Sequence, residues 1–130
     1  MPLSPADEKI IFDKLKSALK KQTPPMVACK DKEQVFELMG NKPVPYGSKK
    51  TIVPGMYFSS IVSRKDSINF YFFPLYFHLD DYKKICPTIL KCLKGKTCFH
   101  FKKTEQVNEK ELNAMLKKGA AAWKKMGYMK

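Results

Sequence analysis

The sequence predicts a single α+β domain spanning residues 1–130, with a mostly antiparallel β-sheet of about five to six strands and helices packed on one face. Three observations predict it. Hydrophobic residues repeat at helical spacing at both ends of the chain, as at Ile11, Leu15, Ala18 and Leu19, and again at Leu112, Met115, Leu116 and Trp123. Between them, residues 56–64 and 67–73 are rich in aromatic and β-branched side chains and flank the short turn Lys65-Asp66. Tight turns between neighbouring strands imply antiparallel pairing, with the helices covering one face. The predicted order is α, several strands, α, strand, α.

The elements follow from local chemistry. Ser4 caps the first helix, Pro5 suits its first turn, Asp7 and Glu8 complement its positive end, and Thr23-Pro24-Pro25 stops it. Residues 26–29 and 34–39 read as a hairpin across Lys30-Asp31-Lys32, and residues 40–55, rich in Pro and Gly, as loop with a short edge strand near 51–53. The strand that follows Asp66 is expected to continue or bend beyond Pro74 through Tyr76 and Phe77. Asp80 or Asp81 is expected to open the second helix, Pro87 to break it near Cys86, and Gly95 to end it. Residues 97–102 form a strand with Phe99 and Phe101 on one side and Cys98 and His100 on the other. Asn108, with Glu111 three residues on, caps the last helix, and Gly127 terminates it.

Composition bounds the class. A chain of 130 residues with 44% hydrophobic and 12% aromatic content buries enough surface to fold without disulfide staples. The four cysteines, with no apolar leader before them, predict a reduced, cytoplasmic protein. No apolar run is long enough to span a membrane as a helix. The net charge of +13 favours polyanionic partners, yet of 25 basic residues Arg64 alone is arginine. Lysine is a hydrated point charge, so a solvated surface is the simpler reading of most of that charge.

Three segments, INFYFFPLY at 68–76, LKGKTCFHFKK at 93–103 and LKKGAAAWKKMGY at 116–128, together resemble the YdhG-like bacterial family of unknown function. The resemblance implies a compact frataxin-like fold. Pro45-Tyr46-Gly47-Ser48 stands where that family more often has Tyr-Gly-Met-Pro. Some members are associated with intracellular iron delivery, which implies an acidic helix. The first helix here carries Asp7, Glu8 and Asp13 among many lysines, and hard cations want clustered carboxylates, so an iron-chaperone role ranks third and no cofactor is expected.

No catalytic or metal site is read. Cys86, Cys92 and Cys98, with His78 and His100 nearby, lack the close ligand pairs of zinc sites, and no base is placed to activate a thiol. Asp80 and Asp81 are read as helix-start acids. The paired lysines 83–84, 102–103, 117–118 and 124–125 are read as exposed faces. The feature with functional content is the aromatic hairpin. If Met56, Phe58, Ile68, Phe70 and Phe72 face the helices, parity sends Tyr57, Ser59, Ile61, Tyr71 and Phe73 to the other face, beside Cys98 and His100. Tyr57, Ser59, Tyr71, Phe73 and His100 are therefore the expected binding residues of a non-enzymatic binding or adaptor module. Its partner is a small ligand, another protein or a second copy of the chain. A lysine-rich polyanion binder, for nucleic acid or phosphorylated ligands, is the alternative.

Overall fold

The computed structural model describes residues 4–23, 26–32, 34–46, 51–64, 67–95 and 97–128. Pro24, Pro25, the Lys65-Asp66 turn and Lys96 lie outside the described residues, as does the side chain of His78. Helix α1 (Pro5–Lys20) starts as the sequence predicts, with the Ser4 hydroxyl accepting from the Asp7 N–H at 3.1 Å. It buries Ile11, Phe12, Leu15, Ala18 and Leu19.

Five strands form one antiparallel sheet. They are β1 (Val27–Lys32), β2 (Val35–Met39), β5 (Tyr57–Ser63), β6 (Ile68–Phe72) and β7 (Cys98–Phe101), in that spatial order. The short strands β3 (Val44–Tyr46) and β4 (Thr51–Val53) pair separately as a two-stranded ribbon, where the sequence suggested one edge strand. β1 extends through Lys32, so the Lys30-Asp31-Lys32 turn predicted from the sequence is strand instead.

Two bulges set which side chains face where. The β1–β2 register shifts between Ala28 and Lys30, leaving Cys29 as the extra residue. The β2–β5 register shifts so that Leu38 pairs with Ser59 while Met39 pairs with Tyr57, leaving Phe58 unmatched. A bulge reverses the alternation beyond it. Ile61 consequently pairs with Phe36 and Phe70 and is fully buried with them on the helix side, not on the open face.

The helices lie on the side of Phe58, Phe70 and Phe72. Trp123 meets Phe58 edge-on at 5.7 Å between centroids, and Tyr82 meets Phe72 edge-on at 5.4 Å. Both Tyr82 and Trp123 are fully buried. Helix α2 (Leu75–Ile85) begins directly after Pro74, so Tyr76 and Phe77 are helical and neither continues β6. Asp80 and Asp81 consequently sit within α2 rather than at its start, with Asp80 3.2 Å from the Lys83 ammonium. The chain breaks at Cys86 as Pro87 requires, and α3 (Pro87–Leu90) follows.

Helix α4 (Glu109–Lys125) is capped by Asn108, whose Oδ1 accepts from the Glu111 N–H at 3.0 Å. The Glu111 carboxylate turns away from that cap. Its Oε1 accepts from the Thr88 and Ile89 N–H groups at 2.8 and 3.2 Å, so it caps α3 and ties it to α4. Gly119 lets α4 approach the sheet, because a Cβ there would stand 2.6 Å from Phe72 Cζ.

Candidate functional site

Strand pairing resolves the sheet face opposite the helices into cross-strand rows. One row runs Lys30, Glu37, Ser60, Tyr71 and Cys98 from β1 to β7. The next runs Lys32, Val35, Val62, Asn69 and His100. Among the described residues no helix packs on this face. Parity carries it one step further to Arg64 and Ser67, which close the β5–β6 hairpin with the Arg64 N–H donating to the Ser67 carbonyl at 2.9 Å.

The expected binding residues divide. Tyr71 and His100 lie in these rows, half-buried. Tyr57 also belongs to the face, because its hydroxyl lies 2.6 Å from Ser60 Oγ. Ser59 does not. The Phe58 bulge turns it toward Leu38 and Phe72, where it is fully buried and donates to the Tyr71 carbonyl at 2.6 Å. Phe73 lies beyond the end of β6 at the rim, stacked on Tyr57 at 6.0 Å and meeting Trp123 edge-on at 5.8 Å. The face is thus less aromatic and more polar than the sequence suggests.

The sequence reading missed Glu37, Ser60 and Arg64 as members of this face, and left Asn69 unnamed although it shares the parity of Tyr71. For Glu37 a signal was present, since Val35, Glu37 and Met39 alternate with the core residues Phe36 and Leu38. Ser60 was misplaced by the same bulge that misplaced Ser59.

These side chains are already linked. Ser67 donates to Asn69 Oδ1 at 2.7 Å, and both are largely buried at 7% and 8% exposure. Cys29, at the β1 bulge, donates to Glu37 Oε2 at 3.1 Å. Beside Glu37 and Tyr57, the chain entering β5 leaves a groove of about 330 Å³, completed by Val53, Gly55 and Met56.

The electrostatics disfavour thiolate chemistry. Burial, and next the Glu37 hydrogen bond, pushes the Cys29 thiol from 9.0 up to about 11. Burial pushes Cys86 up to about 12 and raises Cys92. Cys98 is also raised by burial, against opposing pulls from Tyr71 and the Arg64 charge. All four thiols are therefore protonated near neutral pH, the wrong state for a nucleophile. Burial likewise raises the Tyr57 phenol, which stays a hydrogen-bond donor. Among the described residues no three His, Cys, Asp or Glu side chains are grouped to hold a metal ion. On α1, Glu8 is engaged by the Ser63 hydroxyl.

Fold and face together define an α+β domain with one helical layer and a polar, tyrosine-bearing sheet surface. No family model, curated protein or solved structure matches the chain. No helix among the described residues is long and apolar enough to cross a membrane.

Proposed function

We propose that this chain is a non-enzymatic binding module that takes its ligand on the sheet face around Tyr57, Tyr71 and His100. The observation that carries the reading is the row Glu37, Ser60, Tyr71 and Cys98, spanning four paired strands with no helix packed over it among the described residues. Rigid strands hold donors and aromatic rings at fixed spacing, which suits recognition. Protonated thiols give no comparable support to catalysis.

The frataxin-like assignment belongs to the same proposal, supported by the antiparallel sheet between terminal helices α1 and α4. Polyanion tracking by lysines has weaker support, because the paired lysines are dispersed over α2 (Lys83-Lys84), the loop after β7 (Lys102-Lys103) and α4 (Lys117-Lys118 and Lys124-Lys125).

A screen of small aromatic compounds, followed by amide chemical shifts, tests the reading. Compounds that bind are expected to perturb Ser60, Asn69, Tyr71 and Cys98. Tyr71→Ala is expected to weaken them roughly tenfold, as loss of a stacking ring does, with the unfolding midpoint nearly unchanged. Binders that ignore Tyr71→Ala, or perturbations confined to the helices, would place the site elsewhere.

A further inference from the structure

We propose that the occupant of this face is a small phosphorylated heteroaromatic molecule of the mononucleotide class, its ring against Tyr71 and its phosphate on Arg64. The inference rests on the binding-module reading and adds the ligand's chemistry to it.

Size comes first. Strands about 4.8 Å apart put β1 and β7 about 19 Å from each other, and three rows at two-residue steps span about 14 Å. That is a patch of roughly 270 Å² between strand axes, large enough to seat a small planar molecule.

Charge comes next. One of the chain's 25 basic residues is arginine, and it stands on this face. Arg64 is exposed, at the closed end of the β5–β6 hairpin. Its charge nevertheless acts on the Cys98 thiol, which lies two rows away toward Tyr57. Strand parity puts Arg64 on this side of the sheet, and an extended arginine side chain is long enough to reach back over the Asn69 row. A planar guanidinium binds phosphate oxygens in pairs, which a lysine ammonium does not. Lys30 and Lys32 on β1 add a positive margin at the far side.

The ring end is equally specific. Tyr71 offers an aromatic surface, and the Tyr57–Ser60 hydroxyl pair beside it supplies hydrogen-bonding groups for ring nitrogens and exocyclic groups. Ser67 fixes the orientation of the Asn69 amide between ring and phosphate ends. Stacking tolerates many rings, so the phosphate contact is the more selective of the two.

The test is amide chemical-shift titration of the full chain with adenosine 5′-monophosphate, adenosine and inorganic phosphate, each separately. The monophosphate is expected to perturb Asn69, Tyr71 and Cys98. Arg64→Gln is expected to weaken it on the order of tenfold, the usual cost of losing a charge-assisted bidentate contact, while leaving adenosine nearly unaffected. Tyr71→Ala is expected to weaken both. Arg64 is exposed, so the variant should retain the parent spectrum elsewhere, and that is checked directly.

Monophosphate shifts confined to α1 or α4, equal affinity in Arg64→Gln, or no shifts at millimolar ligand each overturn the proposal. If adenosine or another aromatic compound still binds at Tyr71 in those cases, the binding-module reading survives and the phosphate assignment alone is lost. If nothing binds the face, both are lost.

Discussion

Gly119 shows how one absent methyl group fixes a distance. In an exposed helix, Gly→Ala stabilises by about 1 kcal/mol because alanine is the better helix former. Here the added Cβ would lie 2.6 Å from Phe72 Cζ and 3.1 Å from Phe58 Cε1, both on fully buried rings. Overpacking of that kind costs about 1–3 kcal/mol, so it outweighs propensity. Gly119→Ala is expected to destabilise by on the order of 1 kcal/mol, read as a lower urea midpoint at unchanged slope. Combining it with Phe72→Leu, which trims the ring it strikes, should give a loss smaller than the sum of the two. An increase in stability would mean that α4 sits farther from the sheet.

At the scale of elements, the Glu111 cap on α3 makes a second expectation. A four-residue helix has little cooperative stability of its own, so its order depends on its ends. Glu111→Ala removes a charged acceptor from the Thr88 and Ile89 N–H groups and should cost about 1–3 kcal/mol. Glu111→Gln, which keeps an acceptor oxygen, should cost less. Faster hydrogen exchange at Thr88 and Ile89 in the alanine variant would locate the effect; unchanged exchange there would rule the cap out. These elements also show what was legible in sequence. Both terminal helices, the β5–β6 hairpin and the Pro87 break were readable because capping residues, alternation and proline act locally. The start of α2 was not, since Tyr76 and Phe77 favour strands by local preference while tertiary packing onto Trp123 holds Phe77 in a helix. Nor was the true membership of the open face. A bulge at Phe58 is fixed by pairing with β2, which no property of residues 57–61 announces.

For the whole molecule, acid–base behaviour follows from burial. The buried thiols Cys86 and Cys92 bind their protons more tightly in the folded chain, Cys86 with its pKa raised from 9.0 to about 12, and Tyr57 and Tyr82 shift the same way. Above pH 9 the unfolded thiols ionise first, the native state then holds more protons, and stability falls as pH rises. Urea midpoints of the reduced protein should be flat from pH 7 to about 8.5 and decline steadily beyond 9; a flat profile to pH 11 would contradict the burial of these groups. The sheet's two outer strands are protected differently. Segment 92–94 covers β7, with the Lys94 N–H donating to the Cys98 carbonyl at 2.8 Å. β1 instead carries Lys30, Lys32 and the Cys29 bulge, features that discourage edge-to-edge association. Trp123, the chain's one tryptophan, touches Phe58, Phe73, Phe77 and Tyr128, and its indole N–H lies 3.4 Å from the Met56 carbonyl. The native protein therefore carries its own optical label. Excitation selective for indole reports a single dry environment shared by α4, α2 and the start of β5, and a red shift of the emission marks the moment those three part.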